Sequence, residues 1–210
     1  PAEPGPDALA GLRKLRRDLE ELHGQKNETI VYSVWPYLGH EDRHIRFAAR
    51  IALEHQPVEQ WQNCVLLEKD PTTLITGGIA LARNGSPAFK TPLVNVLKKL
   101  DWNKLTDTQK MDLLRLYQLV FVRMGGPTEK ERLDVLAQIN KAYPAANSFM
   151  NRELSRVLVY LNAPKVIERT LELQDKALTQ EEQIHYAKVL MNLTTGWNDK
   201  LRKKHFEWYL

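Results

Sequence analysis

The stretch with the most evident chemical potential is His40-Glu41-Asp42-Arg43-His44. It spells HExxH, the pattern in which one helical turn offers two imidazoles to a zinc ion while the glutamate polarises a bound water. That chemistry needs the whole motif inside a helix and a third ligand reaching the same point. Here Gly39 stands just before it, Glu41-Asp42 has turn character, and the amphipathic pattern begins only around Asp42. His40 and His44 then straddle a helix start, and the next donors, Glu54 and His55, lie about three turns further along. The motif reads as exposed turn residues, and no metal site is assigned.

A nucleophile is the second possibility. Cys64 is the single cysteine, which excludes an internal disulfide and any CxxC or CxxCH metal or haem motif. It sits beside Val65 and Leu66 in the segment that starts at Pro57, with no neighbouring base to lower its pKa. A buried structural thiol is expected. The third group lies near the end of the chain, where Trp197, Phe206, Trp208 and Tyr209 interleave with Lys200, Arg202, Lys203 and Lys204. Aromatics among basic residues can stack on nucleic-acid bases, or can dock against a following domain. Docking is the preferred reading, with Trp197, Lys200, Arg202, Lys203, Lys204, Phe206 and Trp208 as the candidate interaction surface. No catalytic or cofactor-binding residue is assigned.

Helices must position all of these groups. The template i, i+3, i+4, i+7 is met by Ile45, Ala48, Ala49 and Ala52, and again by Leu74, Gly77, Gly78 and Leu81. Leu113, Leu116, Tyr117 and Val120 repeat it, then Leu154, Val157, Leu158 and Leu161, then Tyr186, Val189, Leu190 and Leu193. The offsets are 29, 39, 41 and 32 residues. Partner stripes fall between them: Val58, Trp61 and Val65; Leu93, Val96, Leu97 and Leu100; Leu133, Leu136, Ile139 and Tyr143; Val166, Thr170 and Leu171. No period-2 strand pattern is evident. Thr106-x-x-Gln109, Thr128-x-x-Glu131 and Thr179-x-x-Glu182 match the capping box. Asp70-Pro71 is an N-cap with proline at the first helical position, and Gly125-Gly126-Pro127 breaks the chain. Paired helices of this kind stack to bury a continuous core. The expectation is an all-α fold, an α-solenoid of about five helix pairs, with Gly77-Gly78 admitting close packing.

Composition sets the outer bounds. The chain has 210 residues, of which 43% are hydrophobic and 27% charged, the profile of a folded domain. The net charge of +4 is too slight to name a partner, and the Arg13–Arg17 cluster is laced with Asp18, Glu20 and Glu21. No apolar run is long enough to span a membrane. The opening Pro-Ala-Glu-Pro-Gly-Pro and the closing Trp-Tyr-Leu suggest a piece of a longer protein. The expected organisation is one domain over 1–210: a linker remnant at 1–6, N-terminal helices over 7–40, irregular repeats over 41–195, and a helix within 196–210 leading to a following domain.

The run Leu38 to Leu53, with Asp42 at the turn, Ile45-Arg46, then Ala48, Ala49 and Leu53, resembles the HEAT repeat. The resemblance implies a right-handed solenoid, although the second repeat carries Thr73 and Thr76 near the arginine position. Ala48 to Gln62 and Gly196 to Trp208 also resemble a helical region of large exported proteins of planctomycetes and related phyla. Those proteins often carry a c-type cytochrome domain and sometimes a dehydrogenase-like β-propeller. This resemblance implies a non-catalytic scaffold in a periplasmic or secreted host, with haem c only elsewhere in that host. Its partners would be neighbouring domains or another protein. The alternative is a DNA-binding HEAT-like protein of the alkylation-repair glycosylase type, for which Trp102 with Asp101 and Asp107 is a loose echo.

Overall fold

In the computed structural model, which describes residues 6–210, every regular element is helical: twelve α-helices and five 3-10 turns, with no strand among the described residues. The helices are α1 (Pro6–Glu20), α2 (Glu28–Val34), α3 (Arg43–Glu54), α4 (Gln62–Leu67), α5 (Pro71–Asn84) and α6 (Lys90–Leu97). They continue with α7 (Asp107–Arg123), α8 (Glu129–Ile139), α9 (Ser148–Tyr160), α10 (Val166–Lys176), α11 (Gln180–Leu190) and α12 (Asp199–Glu207). None is long and apolar enough to cross a membrane. Residues 1–5 of the segment read as linker lie outside the described residues; α1 starts at Pro6.

Most helix starts follow from one side chain each. Asp42 accepts from the backbone N–H of His44 (2.7 Å) and Ile45, and so begins α3. Asp70 accepts from Thr73 N–H (2.8 Å) ahead of Pro71. The Thr106–Gln109 and Thr128–Glu131 boxes close in both directions. The third box closes by half. Thr179 accepts from Glu182 N–H, but the Glu182 carboxylate accepts from Tyr186 O–H instead (2.9 Å).

The contacts cluster into two units. The first comprises the described residues up to Leu100 with Leu119–Gly126, and the second Asp101–Gln118 with Pro127–Leu210. In the first, α3 packs on α1, α2 and α5, and α5 on α4 and α6. Ile45, Ala48, Ala49 and Ala52 of α3 and Leu74, Gly77, Gly78 and Leu81 of α5 are all buried. Gly77 makes the close approach to α4, since a Cβ there would stand 3.2 Å from Val65 Cγ2. In the second unit α9, α10 and α11 pack on one another and α12 packs on α10. Leu154, Val157, Leu158 and Leu161 are buried, with Tyr186 and Leu190. Each such side chain removed from water contributes about 1.5–3 kcal/mol.

Four local expectations are corrected. The segment from Pro57 is a 3-10 turn (Val58–Gln60) followed by the six-residue α4. So short a helix buries one edge, carrying Trp61 and Val65, and Cys64 is exposed. Leu133 of α8 is 52% exposed although its stripe partners Leu136 and Ile139 are buried. Tyr143 is buried beyond the end of α8, on extended backbone.

Candidate functional site

The aromatic-basic end of the chain is divided by α12 into two faces. Asn198 caps the helix by accepting from Leu201 N–H (2.9 Å). Arg202, His205, Phe206 and Tyr209 fall on one side because they recur at helical spacing. With Trp197 and Met191 they line a cavity of about 640 Å³ against the end of α11. Lys200, Lys203, Lys204 and Glu207 face the other way, into a second groove that also holds Glu168 and Glu172 of α10. Trp208 leaves both faces and turns inward, where its indole N–H reaches Gln183 Oε1 (3.4 Å).

The two faces differ in electrostatics. On the lysine side Lys204 pairs with Asp175 (2.5 Å) and Lys203 with Glu207 (3.8 Å), so acids largely offset the bases. On the aromatic side Arg202 is exposed and Phe206 and Tyr209 are more than half exposed. Trp197 is braced by donating its N–H to Leu193 O (2.7 Å). His205 is only 6% exposed, and its ring lies 5.3 to 5.6 Å from those of Trp197, Tyr209 and Phe206. Its Nδ1 is buried without a hydrogen-bond partner, and burial lowers its pKa below the usual imidazole range. At neutral pH the ring is an uncharged wall of the cavity.

Elsewhere the polar groups are engaged in holding helices. His40 lies outside any helix and its Nδ1 accepts from Asp42 N–H (3.0 Å), while His44 sits in the first turn of α3. The backbone hydrogen bond from His44 holds the Asp42 carboxyl below its ordinary range. Among the described residues no three His, Cys, Asp or Glu side chains converge in the manner of a metal site. Trp102 is buried with Lys110 over its ring (5.9 Å). Asp101 accepts from Asn103 N–H (3.1 Å), and Asp107 pairs with Lys110 (3.3 Å). The Trp102 ring is thus buried rather than presented beside these two acids.

Two arrangements had no signal in the sequence. Ser155 Oγ lies 3.0 Å from His185 Nε2, a pairing seen in nucleophile–base chemistry. Ser155 is fully buried in the middle of α9, however, and donates to Arg152 O (2.9 Å). His185 then supplies the second proton, and the pair ties α9 to α11 rather than activating an alcohol. Burial, with Arg156 and Arg152 nearby, lowers the His185 pKa. The other is Arg169 of α10, whose guanidinium donates to Asn140 O (3.1 Å), Asn140 Oδ1 (2.6 Å), Tyr143 O (2.9 Å) and Pro164 O (2.9 Å). It also covers the Tyr143 ring at 5.3 Å. Burial raises the Tyr143 pKa to about 12 despite its hydrogen bond with Thr170. A lone arginine at 169 carries no spacing pattern, and its partners other than Pro164 come from a loop 26 to 29 residues earlier.

Comparison with known proteins returns no match: no family model, no curated protein and no solved structure resembles this chain significantly.

Proposed function

We propose that this chain is a non-catalytic helical-repeat module that docks a protein partner, or a neighbouring domain of its own chain, on the aromatic face of α12. One observation carries the reading. His40, Asp42, Ser155, His185 and Arg169 are engaged in capping or bracing, whereas Phe206, Tyr209 and Met191 stand more than half exposed around a cavity. An exposed apolar cluster of this kind marks an interaction site. The packing of α3 on α5 and of α9 on α11 supports a repeated-pair organisation, and we read the chain as a HEAT-like right-handed solenoid of about five pairs. The resemblance of Ala48 to Gln62 and Gly196 to Trp208 supports placing it in a large exported haem or dehydrogenase-type host.

A photo-activated cross-linking residue at position 206, in the native host, tests this. Adducts to one defined polypeptide or domain are expected at 206 and not at Tyr32, an exposed position in the other unit. Equal labelling at both positions, or none at 206, overturns the reading. Titration with duplex DNA at rising salt tests the glycosylase-type alternative, which requires binding that weakens steeply with salt.

A further inference from the structure

The α12 cavity carries information about what occupies it, and the inference rests on the docking reading above. Its wall is apolar and aromatic, through Leu190, Met191, Trp197, Phe206 and Tyr209. Arg202 is the single Lys, Arg, Asp or Glu side chain on it. Among the described residues the Arg202 guanidinium has no hydrogen-bond or ion-pair partner, whereas Lys203 and Lys204, on the opposite face of the same helix, each have an acid. The buried His205 imidazole adds a polar group whose Nδ1 is also unpartnered. The wall thus presents one positive charge, open to solvent and with no acid beside it, next to exposed aromatic surface.

We infer that the cavity takes an acidic segment of a protein partner that inserts a bulky apolar side chain among Trp197, Phe206 and Tyr209 and pairs an adjacent carboxylate with Arg202. The apolar anchor removes the exposed aromatic surface from water. The carboxylate meets Arg202, the one Lys, Arg, Asp or Glu side chain on this wall, and the fork of the guanidinium gives the pairing a direction. A basic segment is disfavoured, because Arg202 would then face a like charge with no acid on the wall to relieve it.

The minimal probe is N-acetyl-tryptophan, which carries a bulky ring and a carboxylate, set against the neutral N-acetyl-tryptophanamide. Both are titrated into the full chain while the Trp197 indole N–H and the His205 ring resonances are followed by NMR. The acid is expected to shift both resonances saturably and to bind about three- to fivefold tighter than the amide, the yield of a solvent-facing ion pair. That advantage is expected to vanish in Arg202→Gln, an exposed position whose change leaves the fold intact. In Phe206→Ala both probes are expected to weaken together. Equal affinity of acid and amide for the native chain, or no shift at Trp197 and His205 with either, overturns the acidic-anchor inference. Specific cross-links at position 206 alongside such a failure leave the docking reading standing, so the two fail separately.

Discussion

Gly39 and Thr73 are in a contact that admits only glycine: a Cβ at position 39 would stand 2.5 Å from Thr73 Oγ1 and 3.1 Å from Asp70 Oδ1. The turn before α3 thereby lies directly on the capped start of α5, and the Thr73 hydroxyl cannot move away without losing Asp70 (2.8 Å). Gly39→Ala is expected to cost about 1–3 kcal/mol through overpacking. In the double variant with Thr73→Ala the loss should be smaller than the sum of the two single losses. Urea unfolding of the four proteins checks this, and strict additivity would show that the contact does not govern the site.

Arg169 holds its charge against carbonyl oxygens rather than an acid, and replacing it by lysine keeps the charge while removing the fork. A single ammonium cannot serve Asn140, Tyr143 and Pro164 together. Arg169→Lys is expected to lose about 1–3 kcal/mol, as part-buried hydrogen bonds from a charged donor are lost. Amide exchange should rise selectively over 140–145 if the fork anchors that loop, and uniform exchange would count against it.

Cys64 is exposed, so the native chain should react with a disulfide reagent at a rate close to that of the urea-unfolded chain. Cys64→Ser should change stability by less than about 0.5 kcal/mol. A thiol protected until global unfolding would contradict the exposed placement.

The imidazoles of His185 and His205 both have pKa values lowered in the folded protein, chiefly by burial. The unfolded chain then binds protons more readily, so stability is retained at neutral pH and falls as pH drops through the unfolded value of about 6.5. The loss levels off once pH is below the folded values. Unfolding midpoints between about pH 7.5 and about pH 5 should decline, and less steeply in His185→Gln than in the native chain. An identical slope in the two proteins would remove His185 from the account.

The all-helical character was legible in the sequence because the forces behind it are local. Apolar residues three and four apart define a face whatever lies opposite, and Ile45, Ala48, Leu113, Leu116 and Leu154 are all buried as their spacing requires. An Asp or Thr side chain satisfies amides only two or three residues ahead, so the starts at Asp42, Asp70, Thr106 and Thr128 were equally readable. What faces a helix from elsewhere in the chain was not. Cys64 has apolar neighbours in sequence, yet only the packing of α4 on α5 decides that Val65 points inward and Cys64 does not. Glu182 fits a capping box but is drawn to Tyr186. The aromatic-basic run from Trp197 to Trp208 reads as one patch along the chain, and the turn of α12 sends Arg202 and Phe206 to one face and Lys200, Lys203 and Lys204 to the other. Asp175, which offsets Lys204, lies on a different helix. Propensity and capping act over one or two turns, whereas exposure, ion pairing and cavities depend on groups brought together from distant positions, and only the tertiary structure supplies those.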